Sequence, residues 1–149
     1  MLFGLPAYLV SRLQSVLNAA ARLIYGLRRY DRVSDALVTL RWLRIPERIK
    51  FKLAVLVHRV LHGTAPGYLG PFSRSSDIQG RQHLRSASTN RLLTPRVRLQ
   101  TVGARAFSVA GPTVWNDLPS DITSIDNLSV FRRRLKYFLF SQSHPDIIL

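Results

Sequence analysis

Residues 46–63 read PERIKFKLAVLVHRVLHG, and the rest of the chain is arranged around them. Pro46 suits a first helical position, because its missing N–H has no partner there anyway. Glu47 complements the positive helix end. Ile49, Leu53, Leu56, Val57, Val60 and Leu61 then recur at helical spacing, and Gly63 supplies a residue that turns left-handed at no steric cost. The apolar face is wide, which predicts the central helix of a core. Arg48, Lys52 and Arg59 form a basic ridge on the opposite side.

Upstream, Leu9, Leu13, Val16, Ala20, Leu23 and Leu27 give an amphipathic helix over about Ala7 to Leu27, with Ser11, Ser15, Asn18 and Arg22 on its polar face. A basic turn, Arg28 to Arg32, follows. Ser34 is a candidate cap for a short helix reaching Leu40 or Trp42. Downstream the composition changes abruptly. Residues 73–90, SRSSDIQGRQHLRSASTN, predict an exposed, flexible basic loop between a helical N-terminal half (1–72) and a C-terminal half (91–149). In the latter, Arg91 to Thr94 and Ala104 to Val109 read as short paired strands. Gly111-Pro112 and Leu118-Pro119 read as breaks on either side of one helical turn. Asn127 caps a last helix that buries Leu128, Phe131, Leu135 and Phe138 and exposes Arg132, Arg133, Arg134 and Lys136. The expected fold is a small, mainly α domain with a short β-hairpin or irregular segment before the C-terminal helix.

The chain has 149 residues, enough for one domain, with 46% hydrophobic and 20% charged residues. Its formal net charge is +14, and of 22 basic residues only Lys50, Lys52 and Lys136 are lysines, leaving 19 arginines. The guanidinium fork grips phosphate in two places and stacks on bases, so this surplus points to nucleic acid. The candidate contacts are Arg28, Arg29, Arg32, Arg81, Arg85, Arg96, Arg98, Arg105, Arg132, Arg133, Arg134 and Lys136. Tyr25, Tyr30, Phe107 and Tyr137 lie among or beside the basic runs as stacking partners. Arg132 to Lys136 also has the form of a nuclear import signal, which allows a nuclear or a cytoplasmic location.

Other chemistries find no constellation. Cysteine is absent, so disulfides, thiol nucleophiles and zinc knuckles are excluded and secretion has no support. His58 and His62 have zinc-pair spacing, but the residue after His58 is Arg59, not a glutamate base, and both read as helix-surface histidines. Asp117 and Asp121 span Pro119, and the spacing ends in a helix cap at Asp121 rather than a carboxylate pair. No paired aspartates of a polymerase occur. Trp42 and Trp115 read as core anchors. The apolar opening MLFGLPAYLV has no basic leader or cleavage pattern, and no later apolar run approaches the ~20 residues of a membrane span, so a soluble chain without metal, cofactor or catalytic site is expected.

The stretch RAFSVAGPTVWNDLPSDITSIDNLSVFRRRLKYFLF, Arg105 to Phe140, resembles the C-terminal region of reverse transcriptases from non-LTR, LINE-type (jockey-like) retrotransposons. LQSVLNAAARLIYG (Leu13 to Gly26), LRWLRIPERIKFKLAVLVHRVLHGTAPGYL (Leu40 to Leu69) and Leu92 to Arg96 extend the resemblance over nearly the whole chain. It implies a region downstream of the polymerase core, non-catalytic by itself, that contacts RNA or DNA backbones and adjoins the polymerase core of its parent. Arg105, Phe107, Trp115 and Asn116 would be its signature positions. It further implies that Met1 lies within a longer reading frame. Two alternatives stand beside it: a helical packing module docking on that core, an orphaned relic with incidental charge and no independent activity, and peripheral membrane binding by the last helix.

Overall fold

The structure, a computed structural model, describes residues 2–77, 90–99 and 102–145. Among them are six α-helices: α1 (Ala7–Tyr25), α2 (Ser34–Thr39), α3 (Ile45–Leu61), α4 (Phe107–Asn116), α5 (Ser120–Thr123) and α6 (Leu128–Ser143). The fold is mainly α, as expected. Helix α3 packs against α4, α6 and α1 and is the central element. Its Leu53, Ala54 and Val57 meet Ala110, Val114 and Trp115 of α4 and Phe131, Leu135 and Leu139 of α6 in the main core. A smaller cluster joins Ala21 of α1 to Ala36 and Leu37 of α2, with Trp42 packed against it.

Three helices end in the same way. Where α1 stops, Gly26 turns left-handed and the Leu27 N–H reaches back to the Arg22 carbonyl at 2.9 Å. After α3, Gly63 is left-handed while Thr64 N–H donates to the Arg59 carbonyl (2.8 Å) and Gly63 N–H to that of Val60 (3.2 Å). After α2, Trp42 N–H donates to the Leu37 carbonyl (2.9 Å) and Arg41 N–H to that of Val38 (2.8 Å). These last two pairs are Schellman closures, which satisfy the orphan carbonyls of a helix end. Arg41, with φ 51°, is the only described non-glycine residue with positive φ. At the other end of α2, Ser34 is the first helical residue and does not cap; Val33 holds that position without a side-chain bond. Asn127 caps α6 as its spacing predicts, accepting from the Ser129 and Val130 amides at 2.9 and 3.2 Å.

The expected hairpin does not form. Among the described residues there is no strand. Gly103–Arg105 is a 3₁₀ turn and α4 begins at Phe107. The apolar residues Val109, Ala110 and Val114 suit a helical face, which wins over the pairing expected for Ala104 to Val109. The segment around Leu92 instead makes one antiparallel bridge with Arg74, through Ser75 N–H to the Arg91 carbonyl and Leu93 N–H to the Ser73 carbonyl, both 2.9 Å. Residues 78–89, the middle of the expected loop, lie outside the described residues.

Gly111-Pro112 is not a break either; α4 runs through it. Proline here removes one bond, to the carbonyl of Ser108, an exposed residue. The preceding residue normally clashes with the proline ring through its Cβ, and Gly111 has none. Gly111 also sets the helix contact: a Cβ there would lie 3.0 Å from Val57 Cγ2 and 3.0 Å from Phe72 Cζ. Asp121 likewise does not cap. It lies in the first turn of α5, with Pro119 at the cap position and no side-chain bond.

The Trp-Asn pair at the end of α4 ties down the chain before it. Trp115, 1% exposed, donates through Nε1 to the Asn90 carbonyl at 2.9 Å. The Asn116 amide accepts from Leu92 N–H and donates to the Leu92 carbonyl, both at 2.9 Å, as a neighbouring strand would. Leu92 is buried, so either group left unpaired costs about 1–3 kcal/mol. Asn116→Ala is expected to lose about 2 kcal/mol in urea unfolding. Asn116→Asp should lose a similar amount, since a carboxylate cannot donate to the Leu92 carbonyl. An unchanged midpoint in both variants would show that the clamp is not needed. At Gly111, alanine brings a helix-propensity gain of about 1 kcal/mol but overpacking costs about 1–3 kcal/mol. Gly111→Ala should therefore fail to raise the melting temperature and Gly111→Val should lower it by several degrees.

Candidate nucleic-acid interface

Three elements bring cations together. On α3, Arg48, Phe51, Lys52, Val55 and Leu56 share one face by their three- and four-residue spacing. On α6, Arg132, Arg133 and Lys136 face the same space, and the α2–α3 turn adds Arg41, Trp42 and Leu43. The resulting groove has a volume of about 790 Å³. A second lobe of about 370 Å³, lined by Val38, Arg41, Arg133, Lys136, Tyr137 and Phe140, shares three of these cations. No carboxylate lines either lobe. Among the described residues the one contact of salt-bridge length is His62 Nε2 to Asp126 Oδ1 at 3.5 Å, so no arginine or lysine there is paired with an acid. Unneutralised cations around a concave, partly apolar surface focus a positive potential into it.

The structure gathers three of the twelve sequence-derived positions in this groove: Arg132, Arg133 and Lys136. Arg134 is exposed on α6 but lines neither lobe. Arg28, Arg29 and Arg32 sit exposed in the turn after α1, and Arg96 and Arg98 in the segment before α4. Arg81 and Arg85 lie outside the described residues. Arg105 is a tether: its Nε donates to the Gly4 carbonyl at 3.1 Å and holds the N-terminal segment. Of the basic ridge, Arg48 and Lys52 reach the groove. Arg59 instead donates to the Thr64 carbonyl beyond the helix end, at 3.1 Å. Arg41 is the cation that pattern reading passed over, because it belongs to no helical face. Its only sequence signal is its place between a short helix and Trp42.

The aromatic residues divide in the same way. Tyr137 is 58% exposed in the smaller lobe, whereas Phe107 packs on Phe72 with ring centroids 5.2 Å apart. Tyr25 and Tyr30 are exposed elsewhere. Trp115 is a core anchor, but Trp42 is half-buried and also lines the groove. The apolar side of α6 is used in the core, where Phe131 and Leu135 are fully buried. Presenting it to a lipid surface would unpack the domain. No described helix is long and apolar enough to cross a membrane.

One of the two histidines differs from expectation, whereas His62 is exposed as its spacing predicts. His58 is 1% exposed, not a surface residue. Its Nε2–H donates to the Ile125 carbonyl at 2.8 Å. Its ring stacks on Phe131 (centroids 4.4 Å) and on His62 (4.0 Å). His62 in turn donates Nδ1–H to the His58 carbonyl at 2.8 Å. Among the described residues no three His, Asp or Glu side chains gather as a metal site. Comparison with models of protein families, with curated proteins and with solved structures returns no match.

Burial pushes the His58 pKa below the ordinary 6.5; the Ile125 hydrogen bond opposes this, the neighbouring His62 adds to it, and Asp126 opposes it. The unfolded chain therefore takes up a proton near pH 6.5 that the folded chain resists. The stabilisation is complete above that pH and is lost as pH falls through it towards the folded value. The melting temperature is expected to fall from pH 7.5 to 5 more steeply in the wild type than in His58→Gln. Parallel pH profiles for the two would show that His58 carries no such linkage.

Proposed function

We propose that this chain is a non-catalytic nucleic-acid-binding domain that grips phosphate backbones in the groove between α3 and α6. Following the resemblance of its sequence, we assign it to the C-terminal region of a LINE-type retrotransposon reverse transcriptase, downstream of the polymerase core. The observation that carries the binding reading is the convergence of Arg41, Arg48, Lys52, Arg132, Arg133 and Lys136 on one groove with no acidic residue in its lining. Backbone contacts of this kind position a nucleic acid without reading its sequence. The clamps made by Arg105, Trp115 and Asn116 support a structural role for the signature positions, with the ligand held elsewhere.

A second reading has its own observation. Helix α1 exposes Val16, Ile24 and Leu23, the last 86% exposed. Such a face suits docking on another protein surface, and the polymerase core of the parent is the partner that the resemblance suggests. The two readings use different faces and are compatible.

The test is binding to labelled single-stranded RNA across a salt titration. Six phosphate contacts on a single strand give a log–log slope of about −4. Replacing Arg133 and Lys136 by glutamine should reduce its magnitude by about 0.7 for each cation removed, whereas Arg96→Gln with Arg98→Gln should change it much less. Arg41→Gly is expected to separate stability from binding. Relief of the left-handed arginine, worth about 1–2 kcal/mol, raises the melting temperature while affinity falls. A salt-insensitive or absent interaction with RNA and DNA alike would overturn the reading.

A further inference from the structure

The smaller lobe of the groove has features that phosphate binding alone does not use. On α6, Arg133, Lys136, Tyr137 and Phe140 fall at i, i+3, i+4 and i+7, a single helical face. Val38 of α2 and Arg41 of the following turn close the lobe from the other side. Its chemistry is divided. Phe140, 8% exposed, and half-buried Val38 form an apolar floor, while Arg41, Arg133 and Lys136 stand at the rim. Tyr137 offers an exposed ring beside that floor. The volume, about 370 Å³, is at the small end of the range for ligand pockets, about 300–1,000 Å³.

A duplex could neutralise the rim cations, but its base faces are stacked inside and would leave the floor and the Tyr137 ring unused. A single strand offers bare base faces, which stack on aromatic side chains irrespective of sequence. Its phosphates follow at each side of the base. Arg41 occupies a left-handed position that glycine fills at the ends of α1 and α3, which keeps a guanidinium where both lobes meet.

The geometry points to a base-stacking subsite for single-stranded nucleic acid, in which one unpaired base lies on Tyr137 over Val38 and Phe140 while Arg41, Arg133 and Lys136 hold the adjoining phosphates. This rests on the phosphate-binding reading of the groove and adds to it a seat for the base. The larger lobe then carries the strand onward past Arg132, Lys52 and Arg48.

The experiment measures anisotropy of the full chain with three labelled ligands: an oligothymidylate, an abasic strand of equal length with the same phosphates, and a duplex of that length. The base-bearing strand is expected to bind at least about fivefold tighter than the abasic strand, the low end of base–aromatic stacking. Tyr137→Ala should abolish that difference and Tyr137→Phe should keep it. Because Tyr137 is largely exposed, both variants should retain the wild-type circular dichroism. Equal binding of the base-bearing and abasic strands, or a difference that survives Tyr137→Ala, overturns the base seat and leaves the phosphate groove standing. Failure of all three ligands to bind overturns both.

Discussion

A methyl group at Gly111 would lie 3.0 Å from Val57 Cγ2, and this close approach of α4 to α3 governs how the remaining elements sit. Val57 is fully buried in the C-terminal half of α3. With α4 seated against it, Trp115 reaches the core, where its ring lies 5.7 Å from Phe131 of α6. His58 completes the contact by stacking on Phe131 and donating to the Ile125 carbonyl just before α6 begins. One helix face thus orders two partners. The interior is densely packed, so the position of each partner follows from shape as much as from hydrophobicity.

The helix ends show where stability and the proposed binding role diverge. Gly26 and Gly63 adopt left-handed turns without steric cost, but Arg41 adopts the same conformation with a Cβ. The hydrogen bonds of the α2 closure and the packing of Trp42 on the Ala21–Ala36–Leu37 cluster compensate for that strain. The arginine so placed joins α3 and α6 cations across both lobes of the groove. Outliers of this kind persist when their surroundings over-determine them, and they gather at working surfaces.

The expected signature positions of the C-terminal string are mostly braces. Arg105 ties down the N-terminal segment, Asn116 pairs with both polar groups of Leu92, and Trp115 fills the core while holding Asn90. Each bond joins segments 24 or more residues apart in sequence. A string that serves as a brace marks a fold without marking its ligand. The groove is made by other side chains, several of them outside that string.

Periodicity and capping chemistry were sufficient for α1, α3 and α6, because an apolar stripe, a Pro46 start, a Gly63 stop and an Asn127 cap are all local signals. The arginine surplus and the exposed side of α6 were equally local. Gly111-Pro112 was not legible: in isolation it signals a break, and only the partner surface of α3 makes a helix through it favourable. The strand expected over Ala104 to Val109 failed for the same reason, since both periodicities fit a short apolar run. His58 looked like a surface histidine until the Ile125 carbonyl and the Phe131 ring were brought to it. The sequence by itself determined the helical class, the main helix positions and the excess positive charge, since these depend on near neighbours and on sums over the chain. Tertiary structure alone decided which cations share a groove, that Arg41 is among them and that Arg105 is not, because those groupings depend on contacts between residues far apart in the chain.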